Sequence, residues 1–405
     1  MSNNSGPNNS GLTVSIASLA IAVCAALAAA PVRAATTYTV GNLDAFGGTR
    51  NQGNSINNRG WVAGFTTRPG DLHRHATAWI AGTPVDLLTL GGPNSSVAWP
   101  VKNVSGTVVG ISQTSTPETL GERWSCAGFF QIDVTGFTCR GFAWDGSAMR
   151  ALPTLGGPNG YAAAANNRGQ IAGWAETLVY DPSCEGPGPG KSGQVLQFLP
   201  VIYGSRNDAI RALPLIAGDS SGAATAINDR GEAVGISGSC DQAVGRYTAA
   251  HAVLWERDGT VIDIGQGVLD APYWNTPTAM NQGGDVVGFA GHPGDPTAGI
   301  THAFLWTRSA GMRLLNSAPD DNSTATGINA AGQVVGYYVT PNGALHGFVW
   351  DAVNGMRDLN DLKQASYTDV IALANDINDA GVITGRTGTN AAGVRSVFVA
   401  TPDDE

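Results

Sequence analysis

By length alone, 405 residues exceed one ordinary domain and can bury a large core. With 13% charged residues, 7% aromatics and 55 glycines, the chain is too apolar to be disordered and too glycine-rich to be mainly helical. A net charge of −10 and the lack of any basic stripe argue against a nucleic-acid footprint and against binding to acidic membrane surfaces.

The chain opens on an apolar run, Leu12 to Ala30, followed by "PVRAATT". Val32 and Ala34 give it a small-x-small cleavage site, so residues 1–34 read as a signal peptide and the mature protein as secreted or periplasmic. The leading segment carries no Lys or Arg, and an uncleaved anchor is the alternative, because the run is almost long enough to span a bilayer. Cleavage removes Cys24 and leaves Cys126, Cys139, Cys184 and Cys240. An even count in an exported chain predicts two disulfides. No C-x-x-C pair is present, so neither a zinc nor a redox-motif reading has support, and no metal or cofactor is expected.

From residue 36 to residue 402 the chain reads as one repeating domain. The frame N-x-x-G-x-x-x-G starts at Asn57, Asn103, Asn166, Asn228, Asn281, Asn329 and Asn378. The Asn side chain can bond the backbone two residues on and start a tight turn. The first Gly supplies the left-handed residue that closes a type I turn with a bulge. The second Gly lies inside the next strand, where a missing side chain signals close approach by a neighbour, here expected to be a Trp. After most frames comes a second module, such as "HATAW" (75–79), "HAVLW" (251–255) or "HGFVW" (346–350), and then a third, such as "VDLLTLGG" (85–92). Each unit thus predicts four strands, a to d. The third unit is degenerate, with its strand c somewhere in "QVLQFLPVIY".

Tandem four-stranded units of this length predict an all-β, seven-bladed β-propeller. The ends support closure. "TYTVGNLDAFGG" (37–48) resembles a strand d with no a to c before it, and the last unit has a, b and c but no d. The N-terminal strand is expected to complete the last blade and remove an exposed edge. A linear stack of sheets is the alternative, and it leaves these two partial units unexplained.

The stretch "HAFLW" (302–306), followed by Gly-Met-Arg, and "INAAGQVVG" (328–336) resemble the HAF repeat, a family of extracellular repeats in exported bacterial proteins. The resemblance covers about residues 36 to 402. It implies an exported, propeller-like repeat protein and transfers no activity or functional residue.

Residues that recur in every unit are expected to be structural. That reading covers the frame Asn, the strand-c Trp residues, expected to pack between blades, and His75, His251, His302 and His346, expected to hydrogen-bond within their blades. Function is sought among residues that do not repeat. The long excursions fall in three b–c connections, 112–139, 175–193 and 237–250, which share a face with the d–a connections. The pairings Cys126–Cys139 and Cys184–Cys240 are expected to staple that face, the other two connectivities staying open. Trp99, Tyr161, Tyr273 and Trp274 are placed in the d–a connections as ligand anchors. Glu118, Glu122, Glu176 and Asp181 are the candidate catalytic acids, with Glu118 and Glu176 in the recurring "PETL" and "AETL".

Three functions follow. The first is a non-enzymatic, monomeric binding module for carbohydrate or a cell-surface protein, using the loop-rich face, with no nucleic-acid partner and no membrane insertion after cleavage. The second is a propeller glycoside hydrolase or polysaccharide lyase using two of the acids. It lacks the S-x-D-x-G-x-T-W turn of sialidase-like proteins. The third is a surface-display module without a small-molecule site.

Overall fold

The structure, a computed structural model, describes residues 36–122, 126, 130, 136–186, 193–204, 209–240, 250–265, 275–291, 300–315 and 322–403. The expected signal peptide lies outside them. Seven four-stranded antiparallel sheets, each in the order a-b-c-d, form a β-propeller. Blade 6 shows the plan: a is Ser323–Ile328, b Val334–Val339, c Leu345–Asp351 and d Gly355–Asp358. Blade 7 takes a, b and c from Ile371–Ile377, Ile383–Thr387 and Val397–Pro402, and d from the N-terminal strand Tyr38–Leu43. Val40 lies opposite Ala400 and Asn42 opposite Phe398, so the first strand locks the ring.

Six of the seven frames fold as their turn chemistry dictates; at Asn103 the Gly106 N–H goes to the side-chain oxygen instead of the carbonyl. In blade 1 the Gly60 N–H donates to the Asn57 carbonyl at 2.9 Å, and Gly60 is left-handed with φ +73°. The Asn57 side-chain oxygen accepts from the backbone N–H groups of Arg59 (2.9 Å) and Trp61 (3.0 Å). The other half of the amide does more than local reading foresees. Asn57 Nδ2 donates to the carbonyl of Asn103, the corresponding residue one blade on, at 3.0 Å. The same link joins Asn166 to Asn228, Asn281 to Asn329, Asn329 to Asn378, and Asn378 back to Asn57. It is missing at Asn103, whose Nδ2 turns to the Thr107 carbonyl, and at Asn228, which bonds Glu232. One residue type therefore closes a hairpin and ties it to its neighbour.

The second Gly of the frame needs its missing side chain for a different reason from the one expected. Strand a carries a bulge opposite it, between Ala325 and Gly327 in blade 6. The bulge pushes a carbonyl across the gap: a Cβ on Gly336 would sit 2.0 Å from the Thr324 oxygen and 2.7 Å from the ring of Phe348. Gly64, Gly173, Gly235 and Gly385 meet the corresponding oxygen equally closely. The crowding groups are a strand-a carbonyl and a strand-c Phe, not the Trp.

The strand-c Trp residues pack across blade boundaries. Trp255 lies among Ala164, Ile202 and Leu213 of blade 3, and Trp79 meets Val397 of blade 7. Trp79 and Trp255 donate their indole N–H to the carbonyls of Asp44 and Pro214 in the preceding connection (2.7 and 2.6 Å). Burial of each ring removes a large apolar area from water and fixes blade spacing. In the degenerate third blade, Tyr203 fills the Trp position, opposite Ile171.

The b–c excursions are shorter than their sequence limits suggest. Strand b of blades 2 and 3 runs on to Pro117 and Tyr180, and Cys139 belongs to strand c, Phe137–Trp144. What reads as loop is in part lengthened hairpin.

Candidate functional site

The two disulfides form as expected, Cys126–Cys139 within blade 2 and Cys184–Cys240 between blades 3 and 4. Closing a loop across 56 residues, the second one ties neighbouring blades together on the b–c face.

The candidate acids are gathered only in part. Glu122, from the blade 2 excursion, meets Glu176, from strand b of blade 3. Both are buried, Glu122 to 3% exposure and Glu176 to 0%. Their oxygens are occupied by amides. Glu122 accepts from the N–H groups of Val195 (3.0 Å) and Leu196 (2.8 Å) and from Asn159 Nδ2 (3.1 Å). Glu176 accepts from the Asn159 N–H (2.8 Å) and from Gln194 Nε2 (3.0 Å). Burial, and then the facing Glu176 carboxylate, push Glu122 up to about 8. This pair bridges two blades from the inside. "PETL" and "AETL" are not equivalent, because Glu176 lies three residues past its frame Gly, where blade 2 has Gln113. Gln113 accepts the matching bond from Asn94 Nδ2 at 2.9 Å, so the position ties strand b to the start of strand a within one blade. Glu118 caps the N–H groups of Leu120, Gly121 and Glu122. Burial would raise Asp181, but hydrogen bonds from Ser183, Ser220 and Ser221 outweigh it and hold the carboxyl below its ordinary range.

The aromatics separate as well. Tyr161, expected in a d–a connection, is a buried strand-a residue of Gly160–Ala165, its ring 6.2 Å from that of Trp174. Trp99 is half-buried against the core cluster that holds both Cys126 and Cys139. Tyr273 and Trp274 lie outside the described residues. Three of the strand-c histidines bond a strand-d Asp of their own blade: His75 with Asp86 (3.0 Å), His251 with Asp263 (2.8 Å) and His346 with Asp358 (2.6 Å). That is the intrablade role expected of them.

A different cavity stands on the b–c face. It has a volume of about 270 Å³ and sits where blade 7 meets blade 1. Arg50, Arg74, Arg386 and Arg395 line it, with the amides of Gln52 and Asn54, and no carboxylate lines it among the described residues. Arg74 is buried at the start of strand c of blade 1, its guanidinium 3.9 Å from the Phe65 ring centroid. Burial, then the charge of Arg50, lower its pKa to about 10. Arg386 is half-buried in strand b of blade 7 and is lowered to about 10 by burial and then by Arg395. Arg50 and Arg395 are exposed, and their backbones pair across the seam. Asp71, held by Thr49 and Thr67, is the acid that feels Arg50.

No protein-family model matches the chain, and no curated protein does either. Solved propellers do. A Mycobacterium tuberculosis puromycin-hydrolyzing peptidase aligns with a TM-score of 0.54 at 12% identity, over 91% of this chain and 56% of that one. The β-propeller domain of the Trilobed protease from Pyrococcus furiosus aligns at 0.48 and 10% identity, over 91% and 98%. A PL25 ulvan lyase aligns at 0.39 and 9%, over 91% and 96%. This chain spans little more than half of the peptidase, and at such identities the likeness shows the fold alone.

The four arginines are the residues that sequence reading missed. A signal for them exists as departure from the repeat. Trp79 and Ala400 hold equivalent positions, opposite Val62 and Ile383, so Arg74 and Arg395, five residues before each, are equivalent too. The other blades have Cys139, Phe198, Ala250, Thr301 and Leu345 there. Arg386 follows the second frame Gly, where the other blades have Phe65, Ile111, Trp174, Ile236, Phe289 and Tyr337.

Proposed function

We propose that the chain is an exported HAF-repeat propeller that works as a non-enzymatic binding module through its b–c face. One observation carries the reading: residues that break the repeat, from the first and last blades, converge on an open cavity at that face. Export is supported by the two disulfides, which persist in oxidising compartments, and by the HAF motifs. A hydrolase or lyase using Glu122 and Glu176 has less support, because both are buried and engaged by amides. A general acid must reach the bond it protonates.

The full chain, immobilised and exposed to a glycan array, is expected to retain a subset of glycans and release no product. New reducing ends or unsaturated sugars from a retained glycan would reject the module in favour of the enzyme.

A further inference from the structure

The geometry points to an anionic saccharide as the occupant of the seam cavity, with its carboxylate or sulfate groups taken by Arg50, Arg74, Arg386 and Arg395 and its hydroxyls by Gln52, which Asn54 holds in place. This rests on the binding-module reading and specifies its ligand. The chain as a whole is acidic, with 22 Lys and Arg against 32 Asp and Glu. Four of those cations nevertheless share one small cavity whose described lining is free of carboxylates. Like charges gathered in a partly desolvated space repel, and the folded chain bears that cost. An oxyanion offsets it, since guanidinium forks match carboxylate and sulfate geometry.

The lining also selects against other anions. Amides beside the guanidinia suit a hydroxylated ligand. Phe65 carries Arg74 on its face and so offers no apolar platform. A second cavity of about 640 Å³ shares Arg386 and Arg395 and is lined between blades 6 and 7 by Thr368, Asp369, Thr389 and Asn390, so beyond the arginines it offers hydroxyl and amide partners and one carboxylate in place of further cations. The site therefore extends beyond one sugar ring, which fits an oligosaccharide better than a free phosphate. A nucleic acid would need a basic groove tracking many phosphates, with aromatic faces for its bases. Here the cations stop at the seam.

The test is calorimetric titration of the full chain at low salt with trigalacturonate, a chondroitin sulfate tetrasaccharide, cellotriose and a single-stranded oligonucleotide. Either anionic glycan is expected to bind. Trigalacturonate carries carboxylates alone and chondroitin sulfate carries both groups, so trigalacturonate binding shows that carboxylates suffice, and binding of chondroitin sulfate alone assigns the sulfate. Binding should weaken as salt rises. The double variant Arg50→Gln/Arg395→Gln changes two exposed residues, so it should keep the parent's thermal unfolding and lose about 10- to 100-fold in affinity per charged contact. Arg386→Gln should lose a similar factor, whereas Arg168→Gln, on the opposite face, should bind as the parent does. Cellotriose binding that ignores the arginine variants would overturn the charge inference and leave the module standing. Unchanged affinity of the folded double variant for an anionic glycan, or tighter binding of the oligonucleotide, would overturn the inference as well. If none of the four probes binds, the anionic-saccharide inference falls, and the glycan array decides the module reading separately.

Discussion

The two mouths of the central channel are built from the same inner strands and present opposite chemistry. At the turn-side mouth the polar groups satisfy one another. Asn58 donates to Asp379 at 2.6 Å, Asn167 to Asp229 at 2.8 Å, and the Ala330 N–H to Asp379 at 2.8 Å, around a cavity of about 240 Å³. At the loop-side mouth four guanidinia converge. The first mouth is made of frame positions and the second of departures from the repeat. A repeated residue finds its partner in the copy next door. The residues that break the pattern gather instead with like charges, in a cavity whose described lining holds no carboxylate.

The sharpest way to break this contrast lies inside the channel, at the strut between blades 2 and 7. Lys102 donates to the Asp376 carboxylate and, at 2.5 Å, to the Ile377 carbonyl. Asp376 has 0% exposure and also accepts from the N–H groups of Ile56 (2.8 Å) and Ile377 (2.9 Å). Burial raises its pKa even against the pull of Lys102. Lys102→Met strands that carboxylate, at a cost of about 3–5 kcal/mol in urea unfolding at pH 7. Adding Asp376→Asn should restore most of the loss. If Lys102→Met alone costs nothing, the strut does not hold the ring, and the turn-side mouth is not self-sufficient.

The next largest effect falls on the frame itself. Asn329→Ala removes the cap on the Ala331 and Gln333 N–H groups and the bond to the Asn378 carbonyl. The Asn378 carbonyl keeps its turn bond from the Gly381 N–H (3.0 Å), so the expected loss, from the uncapped N–H groups and the broken link, is about 1–2 kcal/mol. Asn228→Ala should cost less, because its Nδ2 bonds Glu232 and reaches no neighbouring blade. Equal losses in urea melts would mean that the link between blades carries no stability.

These comparisons separate what the sequence makes legible from what it hides. The hairpin turns, the blade count and the locking strand depend on residues a few positions apart or on missing modules at the two ends, and all are readable in one dimension. The blade-to-blade reach of Asn57 Nδ2 is not, because it depends on how closely neighbouring hairpins stack. Nor is the seam cavity. Arg74 and Arg395 are 321 positions apart, and only superposing the repeats shows that both depart from it at one register. The acids misled for the opposite reason. Their clustering in excursions was visible, whereas their burial and their saturation by Asn159 and Gln194 belong to the packing of two blades.

The last comparison concerns that acid pair, and it sharpens the claim that it serves as structure. Glu122 titrates at about 8 in the folded chain against an ordinary 4.5. Between those values the native state holds a proton that the unfolded chain has lost. The stability this proton provides is complete below the unfolded pKa and disappears as pH rises through the folded one. Unfolding free energy should therefore fall with rising pH across that window, by at most about 1.4 kcal/mol per pH unit for one proton. Glu122→Gln keeps a neutral group beside Glu176 and should flatten the slope, leaving the variant more stable than the parent at pH 9. A catalytic carboxyl with the same shift would show the same slope and, in addition, its titration in turnover. An unchanged slope in Glu122→Gln would mean that Glu122 does not hold the extra proton, and turnover that titrates with Glu122 would return the pair to the candidate acids.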